Sequence, residues 1–261
     1  MAGHEEARAE LARMMQRPEP AIELARAALL VAAESDPATD VGGSLRQLEE
    51  WAAEIERCRE RFRGRLVVRA GLEVSEPHRA PAQVQAILGR YPFDLVIGSL
   101  HWVGDDVVFD PKFFDRSMDE ACAAYFAELE QMAETGTFDV LGHFDVVART
   151  GFEVWGQYEP RRYEASIRRS LARCIARGIA LDVNAGCLRR KLGRTHPDPE
   201  ILRWYVEMGG ERVVFSSDAH RPAEVGLHVD AAISIARAAG VTRYAAYEHR
   251  AGGLRPLLAP D

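Results

Sequence analysis

Five side chains in this sequence have both the chemistry of metal ligands and an informative place: Glu73, His101, His143, Asp218 and His220. Each closes or follows a short apolar run. Leu66–Leu72 ends in Glu73, Asp94–Gly98 runs through Ser99-Leu100 to His101, and Phe138–Gly142 ends in His143. Arg212–Phe215 runs through Ser216-Ser217 to Asp218-Ala219-His220, and a further run, Ile179–Val183, ends in Asn184. Imidazole with carboxylate suits zinc, manganese or iron. Two such ions a few ångströms apart polarise a phosphoryl oxygen and lower the pKa of a bound water. Asp218 and His220, two apart, share a face if that strand stays extended. Arg149 follows the His143 run and Arg189-Arg190 follow the Asn184 run, each offering a planar fork for phosphate. Neither a G-x-S-x-G elbow nor a glycine-rich phosphate loop competes with this chemistry. Cys187 is the only cysteine near a strand end.

A single His or Glu at a strand end is more often a satisfied polar group than a ligand. Five of them, all at the ends of predicted strands, are harder to dismiss. The remaining histidines, His4, His78, His196, His228 and His249, sit in helical or loop contexts. They read as solvated surface, although His78 and His196 follow strand ends and could line the mouth of a site.

The elements that must position these groups alternate. From Arg65 onward the runs above, with Arg243–Tyr247 as a weaker sixth, are near-continuous hydrophobes, the pattern of buried parallel strands. Helical stretches lie between them. Ser117-Met-Asp-Glu120 has the form of a capping box and opens a helix to about Thr135. Asp198-Pro199 gives an N-cap with proline at the first helical position, opening Glu200–Met208. Pro160 and Pro222 precede helices near Arg161–Arg177 and Ala223–Ala239. Such alternation means an α/β fold around a parallel sheet, in which strand C-termini converge on one face. Residues 1–64 read differently. Glu5–Gln16, Ala21–Glu34 and Ser44–Phe62 are rich in Ala, Leu, Glu and Arg at helical spacing, and no strand is predicted before Arg65. The division is therefore a helical segment over 1–64 and an α/β unit over 65–261.

The chain has 261 residues, 47% hydrophobic and 28% charged, which is ordinary globular usage. Its net charge of −7 argues against a nucleic-acid partner. No apolar run approaches the roughly 18 residues of a membrane helix. The acidic amphipathic start is unlike a signal peptide. The four cysteines form no C-x-x-C pair, which fits a reducing, cytoplasmic setting.

GLEV around Glu73, IGSLHWV around His101, DVLGHFDVV around His143, LDVNAGCLRR, and FSSDAHRPAEVG around Asp218 and His220 resemble successive motifs of the PHP (polymerase and histidinol phosphatase) metallohydrolases. Their order and spacing are most similar to the histidinol-phosphatase branch, over roughly Leu45 to Arg255. The resemblance implies a distorted (β/α)7 barrel that binds divalent metal ions and hydrolyses a small phosphorylated substrate, in this branch histidinol phosphate of histidine biosynthesis. It implies metal roles for Glu73, His101, His143, Asp218 and His220, with Asp218 and His220 also at the catalytic centre, and phosphate contacts for Arg149 and Arg189. The family normally begins with a strand carrying an H-x-H pair, and this chain has none. The expected barrel is thus incomplete at its N-terminus and preceded by helices, with impaired hydrolysis. Its open edges at Leu66–Leu72 and Arg243–Tyr247 would invite self-association. The alternatives are a non-catalytic remnant on the same scaffold or a PHP-type nuclease or other phosphoesterase.

Overall fold

The computed structural model describes residues 29–35 and 41–257. Its central element is one curled, parallel sheet. The strands are β1 (Leu29–Ser35), β2 (Val68–Ser75), β3 (Leu95–Ser99), β6 (Val140–Leu141), β7 (Ala180–Asn184) and β8 (Val213–Ser216), hydrogen-bonded in that order. Two small antiparallel hairpins are separate from it: β4 (Trp102–Val103) with β5 (Asp106–Val107), and β9 (Arg243–Glu248) with β10 (Ala251–Pro256). The helices are α1 (Val41–Arg61), α2 (Pro81–Leu88), α3 (Met118–Thr135), α4 (Val147–Trp155), α5 (Glu164–Arg177), α6 (Pro199–Glu207) and α7 (Val229–Ala238).

Strand alternation sorts the side chains. Leu72, Val74, Val96, Leu141, Leu181, Val183 and Val213 are buried in a core that also holds Tyr125, Phe126 and Leu129 of α3, Ile167 and Leu171 of α5, and Ile201 and Tyr205 of α6. Leu95, Ile97, Val140 and Ala180 belong to a second cluster with Ala245 and Tyr247 of β9. The β9–β10 hairpin therefore lies against the face opposite the helices. The ends of α3 follow the sequence. Ser117 Oγ accepts from the Glu120 N–H, the Glu120 side chain accepts from the Ser117 N–H in return, and α3 stops at Thr135.

Three expectations are corrected here. The predicted helix Ala21–Glu34 is wrong over its second half, because Leu29–Ser35 is a strand paired in parallel with Val68–Val74 along its whole length. Alanine and glutamate favour helix locally, but the ladder offered by β2 overrides that preference. Consequently β2 has β1 on one side and β3 on the other, and the open edge expected at Leu66–Leu72 is filled. Arg243–Tyr247 does not continue the main sheet either. It pairs with Ala251–Pro256, a glycine-containing stretch in which no strand was expected. The helix predicted over Glu5–Gln16 and the first residues of Ala21–Glu34, together with His4, lie outside the described residues. Among the described residues no helix is long and apolar enough to cross a membrane.

Candidate metal centre

Glu73 lies within β2 rather than after it, on the face opposite Leu72 and Val74. Ser99, the last residue of β3, donates its Oγ–H to Glu73 Oε1. His101 follows two residues later. Its backbone N–H and that of Trp102 both bond to the Glu76 carboxylate, and its Nδ1 lies 2.8 Å from Ser75 Oγ. Those contacts turn Nε2 inward. His143 arrives from β6 through Gly142, where a Cβ would collide with Ser99 Oγ, so only glycine lets β6 approach β3 this closely. His143 itself has φ +26° and Asp218 has φ +49°, conformations that non-glycine residues rarely adopt and that cluster at functional sites.

The result is a triangle of donor atoms. His101 Nε2 and His143 Nε2 are 3.2 Å apart, and Glu73 Oε1 lies 3.7 Å from the first and 3.5 Å from the second. A tetrahedral ion with bonds of about 2.0–2.2 Å requires ligand–ligand edges of about 3.3–3.6 Å. The triangle fits. Burial opposes the Glu73 charge, yet His143, His101 and the Ser99 hydroxyl hold its pKa down at about 2. Desolvation and the neighbouring His143 push His101 down to about 4, against the pull of Glu73 and Asp218. His143 moves the other way. Burial would lower it, but the Glu73 carboxylate raises it. The site therefore presents an ionised carboxylate and one neutral imidazole, while His143, held toward its protonated form by Glu73, would release its proton when a metal ion binds.

Among the described residues, Glu73, His101 and His143 form the group whose ligand atoms all converge. Asp218 and His220 are not part of it. Their strand stops at Ser216 and turns, so they do not share an extended face. They still meet, with His220 Nε2 3.3 Å from Asp218 Oδ1, and the Asp218 charge acts on both imidazoles of the triangle. Gly186 makes room for this carboxylate, since a Cβ there would stand 3.0 Å from Asp218 Oδ2. Arg149 projects from α4 with its Cζ 4.3 Å from the Phe109 ring centroid. Arg189 donates to the carbonyls of Ser217 (2.7 Å) and Asp218 (3.0 Å), and so fixes the turn that carries Asp218.

Several groups escaped the sequence reading. Ser99 stands two residues before His101 on the same face as Ile97, a position strand alternation could have flagged. Asp182 of β7 is buried, accepts from Asn184 Nδ2 and Ser216 Oγ, and leaves Oδ1 unbonded. Desolvation pushes its pKa up to about 6. His196 and His78 were expected at the surface and are not there. The His196 ring is buried with Nδ1 2.8 Å from Asp145 Oδ1, its backbone bridged to Asn184. The His78 ring is enclosed against Glu128 at 2.9 Å. A carboxylate for each, too distant in sequence to be seen, drew them in. His228 and His249 are exposed as expected.

No family model matches the chain. It is 33% identical over 210 residues to a Deinococcus radiodurans protein described as a probable histidinol-phosphatase, covering 79% of this chain and 77% of that one. It is 25% identical over 210 residues to the histidinol-phosphatase of Lactococcus lactis, covering 77% and 75%. The fold is similar to a crystal structure of the Lactococcus lactis histidinol phosphate phosphatase complexed with zinc, L-histidinol and phosphate, at a TM-score of 0.75 and 18% identity over 91% of this chain and 92% of that one. A donor triangle raised by three neighbouring strands, in a chain one third identical to such a relative across most of both lengths, places this protein in the histidinol-phosphatase family of PHP metallohydrolases.

Proposed function

We propose that the chain hydrolyses L-histidinol phosphate to L-histidinol and inorganic phosphate. The observation that carries this reading is the Glu73–His101–His143 triangle, whose edges suit one divalent ion. When bound there, a divalent metal supplies Lewis-acid polarisation of the phosphoryl oxygen and a water of lowered pKa. The chain's own residues do the rest. Ser99 and Ser75 hold Glu73 and His101 in orientation through their hydroxyls. Arg149 binds the phosphate dianion with a guanidinium that meets no carboxylate among the described residues. Arg189 holds the Ser217–Asp218 backbone and is read as the second phosphate contact. Asp218 and His220, in contact through Oδ1 and Nε2, form the pair that moves the proton to the departing alkoxide.

The test is phosphate release from L-histidinol phosphate by purified protein reconstituted with zinc or manganese. Turnover that disappears with a chelator and returns with metal supports the reading. Metal-loaded, folded protein that releases no phosphate from this ester overturns it.

A further inference from the structure

The arginine assigned to phosphate has an unusual neighbour. Other arginines near the strand ends meet a carboxylate, as Arg189 meets Glu224 at 3.5 Å and Arg194 meets Asp198 at 2.8 Å. Arg149 does not. Its guanidinium lies over the face of Phe109, Cζ to ring centroid 4.3 Å, within the range where the ring quadrupole attracts a cation. Another neighbour of that ring is the candidate metal donor His101. The Phe109 and His101 rings are 5.3 Å apart between centroids and tilted by 47°.

The backbone makes this contact a fixture. After His101 the chain forms the β4–β5 hairpin, turning at Gly104 with φ +60°, and returns so that the Val108 N–H donates to the His101 carbonyl at 2.8 Å. Val108 is fully buried. Asp110, on the other side of Phe109, accepts the Lys112 N–H at 2.9 Å and so starts the short turn Pro111–Phe114. Phe109 is thus anchored on both flanks, one residue from a bond to the main chain of a metal donor. A carboxylate in its place would orient Arg149 but neutralise it. An aromatic face orients the cation and leaves its N–H donors for another acceptor.

We propose that Phe109 is a positioning residue for phosphate recognition: its ring face aims the Arg149 fork into the space beside His101, where the phosphoryl group must lie. The inference rests on the reading of Arg149 as the phosphate contact. Burial and the nearby Arg190 work against the Arg149 charge, while Glu153 and Asp218 act in its favour without forming an ion pair with it among the described residues.

The experiment titrates zinc-loaded protein with inorganic phosphate by calorimetry, and measures steady-state hydrolysis of L-histidinol phosphate alongside. Phe109→Met keeps a large apolar side chain without a π face, and Phe109→Tyr keeps the face. Phe109→Met is expected to weaken phosphate binding and raise KM by roughly five- to thirtyfold, the size of a cation–π contact converted at a factor of ten per 1.4 kcal/mol. It should change kcat much less and leave zinc content unchanged, while Phe109→Tyr restores binding. In an Arg149→Ala background, Phe109→Met should have no further effect on phosphate affinity. An undiminished effect in that background, or phosphate affinity indifferent to Phe109→Met, overturns the inference. Because phosphate binding is read without turnover, failure to hydrolyse the ester overturns the proposed activity and leaves this inference standing or falling on its own.

Discussion

Asp94 and Glu73 are both carboxylates drawn into the same sheet, at opposite ends of their strands, and their surroundings differ in kind. Asp94, just before β3, accepts the Ala70 N–H at 2.7 Å, the Arg59 guanidinium at 2.8 Å and the His249 N–H at 3.2 Å. Arg69 stands 3.6 Å away. Asp139, just before β6, receives Arg250 through both Nε and Nη2 and also accepts the Val96 N–H. At this end each carboxylate meets a full cation and backbone donors. At the other end, Glu73 meets one hydroxyl and two imidazoles, and Asp182 meets one hydroxyl and one amide. Among the described residues no arginine reaches either of them. The N-terminal end of the sheet has its charges closed within the chain, as a structural end should. At the C-terminal end Asp145 and Glu224 are paired within the chain, with His196 and Arg189, whereas Glu73 and Asp182 are left without an arginine or lysine among the described residues, as a metal site requires.

That contrast is most directly broken at the triangle. His143→Ala removes one of three converging donors. Loss of metal-assisted charge stabilisation worth several kcal/mol corresponds to a fall of about a thousandfold or more in hydrolysis. Zinc content by elemental analysis should fall with it from about one tightly held ion at this cluster. Full zinc occupancy together with intact turnover would show that the triangle is not the centre. The melting temperature is expected to move little or to rise in metal-free protein.

Asp94→Ala tests the opposite end and should reverse that pattern. It strands the Ala70 and His249 N–H groups and leaves Arg59 and Arg69 without their shared anion. The arginines are partly exposed, so the cost is expected to be about 3 kcal/mol, less than for a fully buried pair. Denaturant unfolding measures it. Zinc content and kcat of the folded fraction should remain near those of the parent, and a selective loss of kcat without loss of stability would contradict the division of labour between the two ends.

How far this division could be read from the sequence depends on distance along the chain. Glu73, His101 and His143 were legible because each lies within a few residues of an apolar run, and strand convergence in an α/β fold then brings them together. The capping box at Ser117–Glu120 was legible for the same local reason. Arg59–Asp94, Arg250–Asp139 and Asp145–His196 were not, since the partners are 35, 111 and 51 positions apart and nothing in either neighbourhood names the other. β1 was missed because LLVAAES carries helix-favouring residues whose strand form is decided by β2. Local pattern gave the candidate ligands of the open end, whereas Asp145–His196 at that end and the pairs at the closed end are set by tertiary structure.

The subtlest probe of the comparison is Asp182, a buried carboxylate of the open end with no cation in hydrogen-bonding reach among the described residues. Burial raises its pKa from an ordinary value near 3.8 to about 6, despite the hydrogen bonds from Ser216 and Asn184. The sign follows from linkage. A carboxyl that is harder to ionise when folded binds more protons than the unfolded chain between those two values, so stability falls as pH rises from about 4 to about 6 and stays lower above it. Metal-free protein should therefore be more stable near pH 5 than at pH 7.5 through this group. Asp182→Asn removes the charge but keeps an acceptor for the Ser216 hydroxyl. In chelator-treated protein at pH 7.5 it is expected to stabilise by on the order of 1–2 kcal/mol, and at pH 4.5 to have almost no effect. Zinc supplies positive charge nearby, so the advantage of the asparagine should shrink in loaded protein. Thermal unfolding of both proteins, with and without zinc across this pH range, measures all three effects. Destabilisation by Asp182→Asn at pH 7.5 in the metal-free state would mean that Asp182 is already compensated, and that the open end is less anionic than its geometry implies.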